Sequence, residues 1–120
     1  MAELIELKTI KDQKGCLTVI ENCLPFVVKR VYYIYGVDDS VRGQHRHKST
    51  LQAAICIMGS CTIQNDNGVN RATYLLNNKK KCLILYPEDF HTMVDFSEDA
   101  ILLVLASHNY DPSDYIYEPY

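Results

Sequence analysis

Apolar and polar positions alternate along this chain in short runs, and turn-forming residues separate the runs. No stretch holds a helical period, so the pattern predicts strands throughout. Glu3 to Lys8 alternates weakly and reads as an edge strand. Asp12-Gln13-Lys14-Gly15 supplies a turn, and Cys16 to Ile20 follows as a strand. Phe26 to Tyr35 is the longest candidate and is rich in Val and Tyr, which suit a pleated surface. Alternation there sets Val28, Arg30, Tyr32 and Ile34 on one face, and Lys29, Val31, Tyr33 and Tyr35 on the other. Gly36 to Gly43 reads as a loop.

Leu51 to Met58 is apolar nearly throughout, the pattern of a strand covered on both faces. Gly59-Ser60 turns the chain, and Cys61 to Gln64 returns. Asn65-Asp66-Asn67-Gly68 predicts a hairpin, because Asn-Gly tolerates the positive φ of a type I′ turn; Arg71 to Leu76 pairs back. Asn77 to Lys81 is a polar turn, and Cys82 to Tyr86 is a strand cut by Pro87. Met93 to Phe96 and Ala100 to Ala106 are the last strands, and the Tyr-, Asp- and Pro-rich tail has room for one helical turn near Pro112. Many short strands in 120 residues predict an all-β sandwich or barrel, with residues 1–120 as a single domain.

The formal net charge of −3 carries no basic excess, which argues against a nucleic-acid partner. No apolar run approaches 18 residues, so no membrane span is expected. The N-terminus lacks a basic region followed by an apolar one, so no signal peptide is expected. The five cysteines are odd in number and lack CxxC spacing. Reduced thiols in a cytoplasmic protein are the expected reading.

The chemistry concentrates in Arg42-Gly43-Gln44-His45-Arg46-His47-Lys48. In an extended stretch His45 and His47 share one face and Arg46 takes the other. Two imidazoles flanked by Arg42 and Lys48 suit either a metal or proton transfer on an anionic substrate. A strand bearing HxH, with a lone His after the Pro87 turn at His91, resembles the cupins. Metal-binding cupins add a glutamate where this chain has Leu51 and Gln52, so no metal site is assigned.

A finer pattern runs over almost the whole chain. Lys29 to Val37 (KRVYYIYGV), Arg42 to Lys48 (RGQHRHK) and Gln52 to Ser60 (QAAICIMGS) are followed by His91-Thr92-Met93 with Asp95-Phe96-Ser97. Val104 to Ser107, Tyr110-Asp111 and Asp114-Tyr115-Ile116 complete it. Together these segments resemble the metal-free nucleotide-sugar 3,4-ketoisomerases, which act on dTDP-4-keto-6-deoxyglucose.

The resemblance implies a cupin barrel, a double-stranded β-helix of the jelly-roll kind. It implies isomerisation to a dTDP-3-keto-6-deoxyhexose through an enediol, with no cofactor. His47 and His45 become the catalytic pair, with His47 as the C3 base. Arg30 and Tyr32 are candidates to ease enediolate charge, and Arg42 and Lys48 to steer the diphosphate. Lys14 and His91 are candidate donors near the sugar, which favours the galacto product. A downstream PLP aminotransferase would take that product toward 3-amino-3,6-dideoxyhexoses for surface polysaccharide. A homodimer is expected, since such barrels exchange or pair N-terminal strands, with Leu4 to Leu7 as the candidate segment.

Several positions depart from the family pattern: Gln44 and Arg46 around the first His, Leu51 after the pair, Lys14 in the first turn, and Thr92. Two rival readings remain. One is a 4-keto-sugar epimerase, which pairs one His with an Asp and a Tyr rather than using HxH. The other is a non-catalytic cupin that binds a sugar or a metal.

Overall fold

The computed structural model describes residues 1–120, and it is built from strands and one short 3-10 turn. In chain order the strands are β1 Glu3–Glu6, β2 Lys8–Asp12, β3 Gly15–Val19, β4 Arg30–Tyr35, β5 Arg42–His47 and β6 Gln52–Met58. They continue as β7 Cys61–Asp66, β8 Arg71–Leu76, β9 Lys81–Leu85, β10 Phe90–Val94, β11 Ile101–Ala106 and β12 Tyr115–Ile116. Two five-stranded antiparallel sheets form, ordered β1-β9-β6-β11-β4 and β12-β5-β10-β7-β8. They face each other across one core in the manner of a cupin jelly roll. Ala54, Cys56, Leu83, Leu102 and Val104 meet Ile63, Leu76 and Met93 there.

The continuous apolar run of β6 has a direct cause. Its Ala54 and Cys56 face the core between the sheets. Its Ala53 and Ile55 face the other way, under Leu7, Ile20, Leu24 and Phe26. The chain before β4 therefore serves as a cover for the back of the first sheet. Ile57 and Met58 run out past that cover and are exposed.

Four local expectations need correction. Glu3 to Lys8 is two strands, since β1 pairs with β9 while β2 pairs with β3. The break falls at Leu7, whose side chain is buried under the first sheet. Phe26 to Lys29 is not strand, because Phe26 is spent on covering that sheet. The β7–β8 hairpin closes over residues 67–70, not on a two-residue Asn-Gly turn. Asp66 accepts from Gly68 N–H, and Asn67 accepts from Val69 and Asn70 N–H, so side chains cap the longer loop. Finally, strand β10 begins at Phe90, which puts His91 inside the sheet.

Candidate active site

Strand β5 brings Arg42 to His47 into the second sheet between β10 and the short β12. Its pairing with β10 slips between His91 and Thr92, so His45 lies opposite His91 and Gly43 opposite Thr92. The extra residue is Gln44, and both Gly43 (φ 80°) and Gln44 (φ 59°) take left-handed backbone. A side chain on Gly43 would put a Cβ 2.8 Å from the His91 carbonyl oxygen. Glycine thus permits both the bulge and the close approach of β5 to β10.

The bulge aims His45, His47 and His91 at one another. Ring centroids are 4.9 Å apart for His45–His47 and 4.7 Å for His45–His91. His47 and His91 stack 6.1 Å apart at 17°. The HxH spacing does place both imidazoles on one face.

Each ring is tied by its Nδ1. His45 donates to the Gly43 carbonyl at 3.0 Å, and His91 to the Asp89 carbonyl at 3.1 Å. His47 donates to Asp114 Oδ2 at 2.8 Å. Carbonyls and carboxylates only accept, so Nδ1 carries the hydrogen and Nε2 keeps the lone pair in each neutral ring. The Nε2 atoms of His47 and His91 are buried without a partner.

Burial holds all three imidazoles below their ordinary range. Desolvation lowers His45 and His47, although the Asp114 carboxylate works the other way on His47. His91 is pushed down to about 3 by burial and by the neighbouring His45. The rings are therefore neutral at neutral pH; His45 and His47 keep an Nε2 lone pair for a proton, whereas His91 stays neutral. One ring nitrogen from each lies within 4.8 Å of the other two, so the trio could also ligate a divalent ion. No carboxylate belongs to that set. Gln52 instead donates through Nε2 to the Tyr32 hydroxyl at 3.0 Å.

A cavity of about 550 Å³ opens over these rings. Its lining includes Arg30, Tyr32, Arg42, His45, His91 and Tyr115. The Arg30 guanidinium lies 4.4 Å above the Tyr32 ring and 5.4 Å from that of Tyr110. Burial raises the Tyr32 hydroxyl, so it stays a neutral donor. Two guanidiniums at the cavity suit a diphosphate. His47 sits one layer deeper, at 5% exposure, beneath Tyr115 whose ring lies 4.7 Å away.

Two of the expected residues stand apart. Lys14 is exposed at the β2–β3 turn, its N–H donating to Asp12. Lys48 lies past the end of β5, exposed, with its N–H on the Asp114 carbonyl. Conversely, the structure adds Asp114, Tyr115 and Tyr117 from the tail, and Asp89 and Gly43 as ring anchors. Asp114 and Tyr115 fall in the Asp-Tyr-Ile segment of the family pattern, which was the available signal for them.

The fold and site define a small-molecule cupin with three neutral imidazoles under an arginine- and tyrosine-lined cavity. The family model described as "FdtA: WxcM-like, C-terminal" matches residues 1–120. The TDP-4-oxo-6-deoxy-alpha-D-glucose-3,4-oxoisomerase of Aneurinibacillus thermoaerophilus is 39% identical over 117 residues, covering 95% of this chain and 84% of the relative. The 3,4-ketoisomerase QdtA from Thermoanaerobacterium thermosaccharolyticum was solved as a His-to-Asn variant in complex with TDP-4-keto-6-deoxyglucose. It superposes with a TM-score of 0.92 at 42% identity, covering 98% of this chain and 87% of its own. The chain belongs to the WxcM-like FdtA family of sugar 3,4-ketoisomerases.

Proposed function

We propose that this enzyme, a TDP-sugar 3,4-ketoisomerase, converts TDP-4-keto-6-deoxyglucose to the 3-keto-6-deoxyhexose of galacto configuration. The observation that carries the reading is the trio of Nδ1-anchored, neutral imidazoles gathered beside a polar cavity. In the reaction the C4 ketone acidifies C3–H. His47 Nε2, which Tyr115 covers in this structure, takes that proton once Tyr115 gives way to the sugar, and the C–H electron pair becomes the C3=C4 bond as the C4 oxygen gains charge. The C4 oxygen is protonated and the C3 hydroxyl gives up its proton, with His45 carrying protons between them. A proton added at C4 then leaves a ketone at C3, so atoms and electrons balance without a redox partner.

Arg30 and the Tyr32 hydroxyl are the donors toward the enediolate, and Arg42 is the diphosphate ligand. The galacto assignment follows from the resemblance, which sets Lys14 and His91 near the sugar; of the two, His91 lines this chain's cavity, beside His45. Residues 1–120 form one cupin-type ketoisomerase domain in this reading. A 3-keto sugar is the substrate chemistry of a PLP aminotransferase, which we place next in the sequence. Five free thiols fit a cytoplasmic setting. A homodimer is favoured by the β2–β3 hairpin, which pairs with no other strand and exposes Ile10 and Leu17.

Incubation with TDP-4-keto-6-deoxyglucose in deuterated water, followed by NMR, tests this. Wild type is expected to place deuterium at C4 and yield a 3-keto sugar, and His47→Asn to do neither. Coupling constants of the product separate galacto from gluco. Deuterium at C3 or C5 with the ketone still at C4 would instead support an epimerase.

A further inference from the structure

Three imidazoles share the site, yet their anchors are not equivalent. Backbone carbonyls hold His45 and His91, while a carboxylate holds His47. We propose that Asp114 is the positioning residue that makes His47 the base, by fixing its Nδ1–H tautomer and pairing with the imidazolium formed when Nε2 takes the C3 proton. This rests on the ketoisomerase reading above.

The geometry supports both tasks. Asp114 Oδ2 accepts from His47 Nδ1 and from the Thr50 hydroxyl, and Oδ1 accepts from Ser49 N–H at 2.8 Å. The carboxylate is thus gripped from several sides and cannot rotate away from the ring. The 3-10 turn Pro112–Asp114 sets its position, and Asp111 caps that turn by accepting from Ser113 N–H. Burial pushes the Asp114 carboxyl up, but hydrogen bonds from Thr50, His47 and Ser49 outweigh it and keep the group ionised.

The groups facing His47 explain why the anion matters. Arg30 on β4, His45 on β5 and His91 on β10 surround it, and Tyr115 covers it from the tail. None supplies negative charge. A proton gained at Nε2 without Asp114 would leave a cation buried beside a guanidinium. With Asp114, the step converts a hydrogen bond into an ion pair.

Asp114→Asn is expected to lower kcat by on the order of 10²–10⁴-fold with TDP affinity unchanged. The acid limb of its kcat/KM profile should move to lower pH, because removing the anion lowers the pKa of His47. A purely structural role would leave that limb in place. A second measurement needs no variant: ¹⁵N NMR of the wild-type rings should show His47 protonated at Nδ1 at neutral pH. An Nε2–H tautomer for His47 would overturn the proposal, as would Asp114→Asn with an unchanged rate and pH profile beside an inactive His47→Asn. Full activity in His47→Asn would instead bring down the ketoisomerase mechanism on which the proposal rests.

Discussion

His91 is the residue at which burial has its clearest thermodynamic consequence. Its folded pKa of about 3 lies far below the ordinary histidine value, because the ring is enclosed and faces two other imidazoles. The unfolded chain therefore binds a proton that the folded chain refuses. The stability this neutral ring confers is complete above pH 6.5 and is lost as pH falls from there toward 3. The slope is at most about 1.4 kcal/mol per pH unit from this group. His45 and His47 are shifted in the same direction and add to it. The depressed carboxyls Asp38, Glu88 and Asp114 contribute stability that is complete at neutral pH and begins to be lost only below about pH 5. Urea midpoints at pH 7, 6 and 5 should fall steadily in wild type and less steeply in His91→Asn. Equal slopes would mean that His91 is not excluded from protonation. At this scale the sequence was informative about ring placement, since period-two spacing alone put His45 and His47 on one face. It marked Asp114 only as part of the Asp-Tyr-Ile segment and not as the partner of His47, 67 positions away, because which carboxylate folds back onto a ring is decided by the tail's path.

Among the elements, the tail is the least secured and the most consequential. Strand β12 makes only two ladder pairs, Tyr115 with His47 and Ile116 with Arg46. Yet it carries Tyr115 onto both His45 and His47, and the turn before it carries Asp114. Its far end is latched by Tyr120. The Tyr120 hydroxyl donates to the Glu88 carbonyl at 2.8 Å, its ring lies 4.4 Å beneath the Arg46 guanidinium, and it packs directly on Gly68. Arg46 thus serves the tail from the outward face of β5 while the histidines serve the cavity. This gives its departure from the family pattern a local structural use. The latch is exposed, so its hydrogen bond and cation–π contact are each worth roughly 1 kcal/mol. Tyr120→Ala should speed amide exchange at Tyr115 and Ile116 and lower kcat several-fold, while the global urea midpoint hardly moves. Unchanged exchange at those amides would show that the latch does not hold the tail. The hydrophobic pattern could not reveal this element, because two residues of strand carry no period. Strands β6, β9 and β11 were legible for the opposite reason: their apolar runs are long and bounded by turns.

For the molecule as a whole, the jelly roll leaves two apolar surfaces that its own chain does not cover. One is the β2–β3 hairpin, a separate two-stranded sheet with Ile10 at 50% and Leu17 at 57% exposure. The other is the outward face of β4, a sheet-edge strand that shows Val31, Tyr33 and Tyr35 to solvent. The expected exchanging segment, Leu4 to Leu7, is largely used within the chain, because β1 pairs with β9 and Leu7 is buried. An isolated two-stranded ribbon is marginal in water, and an open strand edge invites pairing. A second copy burying on the order of 800 Å² per partner across such surfaces would answer both. The chain is then expected to sediment as a dimer at micromolar concentration. Leu17→Glu, which places a charge on the hairpin without touching the core, should shift it toward monomer and lower its thermal midpoint in a concentration-dependent way. A wild type that stays monomeric at high concentration would leave the hairpin uncovered and remove the case for association.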